Sequence, residues 1–186
     1  TYTEGQAVMS ACVQVKQAIA DGAELPITVT VEHMAPERED ITYFGAQVAE
    51  VQVDRETGQV DVLRLITSHD VGTIINPLAH QGQIDGGVIT GFGLGVTEEF
   101  ITDDGQVLNG SLADYKLPTI ADIPELETVL IQTGGGTGPY EAKAIGELAN
   151  NATAAAIANA VADAVGCQLF ELPITADRVY KALQQG

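Results

Sequence analysis

Glu147 closes the run Gly138-Pro139-Tyr140-Glu141-Ala142-Lys143-Ala144-Ile145-Gly146-Glu147, a setting in which a carboxylate can do chemistry. A Gly-rich approach, Thr133 to Gly138, delivers it to the mouth of an Ala-rich helix expected to start near Leu148. Backbone N–H groups at a helix start are unpaired and carry positive potential, so they hold anions. Glycines at 134, 135, 136, 138 and 146 let main chain approach a ligand that side chains would block. A carboxylate beside such a ligand is placed as a general base. A glutamate in a first helical turn also favours the macrodipole, and on spacing alone the two readings stand level.

The elements that must position this run follow from periodicity. Thr3 to Ala20 predicts a helix, with Ala7, Val8, Ala11, Cys12, Val15, Ala18 and Ile19 on one face, Thr3 as N-cap and Asp21-Gly22 as the stop. Ile27 to Glu32 alternates like a short strand, and His33 to Asp40, charged and with Pro36, reads as an exposed connection. Tyr43–Val53 and Val60–Thr67 predict a hairpin around Asp54-Arg55-Glu56-Thr57-Gly58. Gln81 to Phe100 predicts a helix despite Gly86, Gly87, Gly91 and Gly93, so close packing against backbone or ligand must compensate. A second hairpin is expected over Ile101–Leu108, a strand over Leu126–Gln132, and helices over Leu148–Val165 and Ala176–Leu183. Hairpins and helices without regular βαβ alternation indicate an α+β fold, and nothing marks a boundary within residues 1–186.

Other functional classes find little support. The chain has 186 residues, 45% of them apolar, and 26 acidic against 8 basic residues give a net charge of −18. Nucleic-acid binding leaves a basic patch, the opposite of this composition. Cys12 and Cys167 have no ligand spacing for zinc or an iron–sulfur cluster, and both read as small buried apolar groups. No run of 18 apolar residues and no export signal are present, so a reducing cytoplasm is the expected location. Contiguous Ser68-His69-Asp70 cannot fold into a catalytic triad, and His69 is expected to stabilise the following turn. The stretch Thr133–Pro139 lacks the Lys-Ser/Thr ending of a phosphate-binding loop.

Five separated motifs then occur in the order known from one family. They are His69-Asp70-Val71-Gly72 with Ile75-Asn76-Pro77, Gly82-Gln83-Ile84-Asp85-Gly86-Gly87, Thr97-Glu98-Glu99, Tyr115-Lys116-Leu117-Pro118-Thr119, and Lys143-Ala144-Ile145-Gly146-Glu147. Together, and with Leu172-Pro173-Ile174-Thr175 behind them, they resemble the C-terminal part of the molybdopterin-binding subunit of the xanthine dehydrogenase/aldehyde oxidase family. The resemblance covers about Thr3 to Leu183. It implies the C-terminal half of that family's molybdenum-binding lobe, with β-hairpins and strands packed against several helices.

By the same resemblance, Glu147 would be the catalytic base, and Gln83, Lys143, Ala144, Ile145 and Gly146 would lie against the cofactor, the last four mainly through main chain. The implied cofactor is molybdenum-molybdopterin, in the cytosine dinucleotide form, shared with another molybdopterin-binding chain. Iron–sulfur clusters, and any FAD, would sit on further subunits of a hetero-oligomer. The implied reaction hydroxylates an electron-poor carbon of an N-heterocycle, purine or aldehyde, with water as the oxygen source. A non-catalytic structural subunit, a CO-oxidising relative and an aryl-CoA-reducing relative stay open as alternatives. Glu141 departs from the small residue, often Gly, that relatives carry there, and it either points into a subunit contact or makes the pocket more acidic.

Overall fold

A computed structural model describes residues 2–33 and 42–185. Its elements run α1 (Tyr2–Ala20), β1 (Gly45–Val53), β2 (Val60–Asp70), α2 (Pro77–Val96), β3 (Thr102–Asp103), β4 (Gln106–Val107), α3 (Leu112–Tyr115), β5 (Glu125–Ile131), α4 (Thr153–Val165) and α5 (Ala176–Gln185). This α+β architecture divides into two compact units. The first comprises Thr1–Phe44, Asp70–Pro77 and Ile131–Ala144; the second comprises Gly45–His69, Leu78–Leu130 and Ile145–Gly186.

In the first unit, α1 ends where its sequence says it should. Ala23 N donates to Ala18 O and Gly22 N to Ile19 O, with Gly22 at φ +82°, the paired closing bonds of a left-handed helix stop. Thr3 is not the N-cap, because the helix already includes Tyr2. Cys12, expected inside, is exposed. Residues 27–32 form no strand: alternation alone supplies no ladder partner. Of the predicted exposed connection, residues 34–40 lie outside those described.

The second unit is built on the sheet β1-β2-β5, whose first two strands form the predicted antiparallel hairpin. Its turn follows from chemistry: Asp54 Oδ1 accepts from the amides of Glu56 and Thr57, and Gly58 takes φ +78°. A methyl group at Gly58 would lie 2.2 Å from Ala176 O, so α5 also requires a glycine there. Register shifts at Glu50/Val51, where Glu50 pairs with Arg64 and Val51 with Val62, leaving Leu63 as an extra bulged residue. The bulge lets Val62 and Leu65, three apart, join one face. That face carries the pairs Gly45–His69, Gln47–Thr67, Ala49–Leu65, Val51–Val62 and Val53–Val60, and α4 packs over β1.

The Gly-rich helix is α2, and it begins at Pro77, four residues before the predicted start. Proline costs nothing in a first helical turn, where its missing N–H would be unpaired anyway. Its glycines answer the packing question. Methyl groups at Gly87, Gly91 and Gly95 would lie 2.8, 2.6 and 3.3 Å from Ala149 Cβ, Thr153 Cβ and Ala154 Cα, so the helix is pressed onto the α4 segment of its own chain. Gly82 and Gly86 instead face open space. The buried side chains of this unit include Leu65, Ile84, Val88, Ile157, Val161 and Val179.

Candidate functional site

The helix predicted from Leu148 begins later. Leu148–Asn150 is a single 3-10 turn, and α4 starts at Thr153 after an Ala152 that offers no side-chain cap. Glu147 therefore stands at the entrance of the 3-10 turn, at φ −115° and ψ −4°, rather than in the first turn of α4. The macrodipole of α4 is thus not what places this carboxylate.

Two buried residues fix it instead. Ile145 on one side is 8% exposed and Ala149 on the other is fully buried, while Gly146 and Glu147 between them are exposed. The amides of Ala144, Ile145, Gly146 and Glu147 donate to no acceptor among the described residues. A side chain added at Gly146 would meet nothing within 4 Å. Glu147 itself has no side-chain partner among the described residues. Free donors, open space and an unpaired carboxylate are thus collected on three residues, 145–147, of the second unit.

Gln83 lies in the same unit, on the first turns of α2, exposed and likewise without a side-chain partner among the described residues. It precedes Gly87 by one helical turn and so continues the stripe pressed on Ala149 and Thr153. The contacts Gly87 to Ala149, Gly91 to Thr153 and Gly95 to Ala154 advance along both segments in the same direction.

Lys143 and Ala144 close the first unit, and there Lys143 is committed to the fold. Its Nζ sits 2.5 Å from Asp70 Oδ2, both side chains being less than a tenth exposed, with Thr133 Oγ1 at 3.5 Å and Thr42 O at 3.4 Å. Its amide donates to Val71 O. Asp70 also accepts from Thr133 Oγ1 and from the amide of Gly72. The Lys143 ammonium, then Thr133, hold the Asp70 carboxyl below its ordinary pKa. The Lys143 charge is accordingly spent inside the protein.

Glu141 and its neighbour Tyr140 both adopt left-handed backbone, φ +66° and +55°, where only glycine is unstrained. A glutamate at 141 is therefore felt by the main chain. Its carboxylate folds back over Gly134 in the same unit.

Sequence reasoning missed a buried polar group in the second unit. Gln47 Nε2 donates to Ala149 O at 2.6 Å and to Thr67 Oγ1 at 3.1 Å, and Thr67 Oγ1 lies 2.5 Å from His69 Nε2. His69 is thus tied to Thr67 rather than to the turn after it. Burial, then the charge of His80, pushes the His69 pKa down, and burial does the same to His80. The available signal was parity: Gln47 shares its strand face with Ala49, Val51 and Val53.

Among the described residues, no group of three His, Cys, Asp or Glu could hold a metal ion, and no helix is long and apolar enough to cross a membrane. An open cavity of about 480 Å³ in the second unit is lined by Phe92, Val96, Asp61, Asp122 and Thr175 among others, and by none of the predicted site residues.

Residues 28–124 match the family described as molybdopterin cofactor-binding domain. The chain is similar to the xanthine dehydrogenase molybdenum-binding subunit of Escherichia coli O157:H7, 39% identical over 140 residues, or 74% of this chain and 19% of that protein. It is 34% identical over 145 residues to the 6-hydroxypseudooxynicotine dehydrogenase complex subunit gamma of Paenarthrobacter nicotinovorans, covering 76% of this chain and 18% of that one. Among solved structures, quinoline 2-oxidoreductase from Pseudomonas putida 86 superposes with a TM-score of 0.71 at 32% identity, covering 76% of this chain and 18% of that one. Aldehyde oxidoreductase from Desulfovibrio gigas superposes with a TM-score of 0.70 at 35% identity, over 76% and 15%. The chain thus spans about a fifth of the length of the curated relatives it matches.

Proposed function

The chain belongs to the molybdopterin cofactor-binding family of xanthine dehydrogenase and aldehyde oxidoreductase molybdenum subunits, and on that premise we propose that Glu147 is the general base of a molybdenum hydroxylase. Alongside it, Gln83 and the main chain of Lys143 to Gly146 contribute part of the cofactor seat. The observation that carries this reading is the segment 145–147, where amides and a carboxylate without partners among the described residues meet an unobstructed Gly146 between buried anchors. Such donors suit the polar edge of a pterin, which offers acceptors to N–H groups. The side-chain amide of Gln83 adds both donor and acceptor capacity. Extending the α2 register by one turn from Gly87–Ala149 carries Gln83 towards residues 145–147. At Lys143 the part left for the cofactor is small, since both its amide and its ammonium are used within the fold.

When bound, the molybdenum-pterin group supplies the two-electron redox chemistry and an oxygen nucleophile derived from water. What this chain adds is acid–base chemistry and placement. A carboxylate oxygen of Glu147 would take up a proton from the water-derived oxygen, towards a substrate with an electron-poor carbon such as an N-heterocycle, purine or aldehyde. The amides of residues 144–146 and Gln83 fix the cofactor edge relative to that oxygen. We assign the cytosine dinucleotide form of the pterin, and we place the rest of the cofactor cleft, iron–sulfur clusters and any FAD on companion segments or subunits.

Glu147→Gln tests the assignment, because glutamine keeps the shape and cannot take a proton. In the assembled enzyme it should lower turnover by ~10²–10⁴-fold while molybdenum content and melting midpoint stay unchanged. Turnover within a few-fold of wild type at full metal content overturns it.

A further inference from the structure

The Glu147 side chain is exposed and has no partner among the described residues, so something other than its own contacts must hold it still. The nearest fixed point downstream is Ala149. Its methyl group lies against Gly87 of α2, and its carbonyl accepts from Thr153 Oγ1 at 3.1 Å and from Gln47 Nε2 at 2.6 Å. The 3-10 turn ties Glu147 to that point, with Asn150 N donating to Glu147 O at 3.4 Å.

Gln47 is the unusual member of this set. It occupies an inward position of β1, in line with Ala49, Val51 and Val53, and its Oε1 is buried with no partner among the described residues. A buried acceptor left unsatisfied is costly, and an apolar residue of the same size would avoid it. The amide group of Gln47 is nevertheless fully used. One hydrogen goes to Ala149 O, the other to Thr67 Oγ1 directly across the hairpin. The Thr67 hydroxyl in turn meets His69 Nε2, which accepts its hydrogen when the imidazole is neutral, the form that burial favours. Donation thus runs outward from Gln47 both ways: to Ala149 O on one side, and to Thr67 and on to His69 on the other.

We propose that Gln47 is a positioning residue for Glu147, acting through the carbonyl of Ala149, with Thr67 and His69 setting the orientation of its amide. The inference rests on Glu147 being the base. A base displaced by an ångström loses much of its rate advantage without losing its substrate, because binding is made elsewhere.

The test uses Gln47→Met in the assembled, cofactor-loaded enzyme, which keeps the volume and removes the donor. Expected are kcat lower by ~10–100-fold with KM within about two-fold, unchanged molybdenum content, and faster hydrogen–deuterium exchange in peptides covering 147–151 but not in the β1–β2 ladder. Gln47→Met/Glu147→Gln should be no slower than Glu147→Gln alone. Thr67→Val, which frees one hydrogen of the Gln47 amide, should show the same pattern at smaller amplitude, and it decides the matter if Gln47→Met does not assemble. Wild-type kcat and exchange in these variants, beside an inactive Glu147→Gln, overturn the positioning role alone. Exchange accelerated equally along the hairpin overturns it too, since the residue would then only support the fold. An active Glu147→Gln instead overturns the reading of the site, and the inference with it.

Discussion

Asp70 and Glu147 are two carboxylates in opposite states. Asp70 is buried, paired with Lys143, and bonded to Thr133 and Gly72; Glu147 is exposed and has no side-chain partner among the described residues. Both lie in motifs that suggest chemistry, and sequence type does not separate them. The difference is one of availability. A carboxylate that already accepts three donors is consumed by the fold and has little capacity left for a substrate proton, whereas one standing beside free amides keeps all of its capacity.

The sharpest way to break this contrast is to neutralise each partner set. Glu147→Gln should cost catalysis, by ~10²–10⁴-fold, and leave melting untouched. Lys143→Met should do the reverse, lowering the melting midpoint strongly, because it strands a buried charge, while leaving the 145–147 segment intact. If Lys143→Met melts like wild type but loses cofactor, the ammonium belongs to the site after all. Stability is read by thermal unfolding, cofactor by metal analysis.

Next in size are the glycines of α2, where the same residue type serves the fold at one position and not at another. Gly91→Ala should destabilise by ~1–3 kcal/mol despite better helix propensity, since the new methyl meets Thr153 Cβ at 2.6 Å and Asn150 O at 2.7 Å. Gly86→Ala, facing open space, should instead stabilise by ~0.5–1 kcal/mol. Equal effects of the two in denaturant melts would remove the close-packing argument.

The smallest expected effect is a two-stage loss of stability in acid. His69 and His80 are held below their ordinary value of 6.5, so below about that pH the unfolded chain takes protons that the folded one refuses, and stability falls. Asp70 is held below its ordinary 3.8, so its contribution is present above that value and is lost as pH falls further towards its lower folded one. A denaturant midpoint flat from pH 7 to pH 5 would contradict the histidine stage.

Much of the fold is legible in the chain because its signals are local. The Asp54–Gly58 turn, the Asp104-Gly105 hairpin and the Gly22 helix stop each follow from residues a few positions apart. What was not legible depends on distant partners. Residues 27–32 alternate like a strand but pair with no neighbour among the described residues, and Leu148–Asn150 has helical composition but closes as a 3-10 turn. Cys12 fits an apolar stripe and is exposed all the same. Within the site, Glu147 and Gln83 could be singled out from motifs, whereas the capture of Lys143 by Asp70 spans 73 residues and Gln47 reaches Ala149 across 102. No window of sequence contains either bond.

Leu63 shows how a residue can matter through the length it adds. Its side chain is exposed, yet as the bulged residue of β2 it bends the hairpin, and the hairpin tip carries Gly58 against Ala176 and Tyr180 of α5. Deleting Leu63 would leave every inward pair of the hairpin in place and straighten its course. The tip would then lift away from α5, and the expected sign is a protease cut near Ala176 in a molecule whose sheet stays whole. The C-terminal helix is thus latched by the spelling of a strand more than a hundred residues before it.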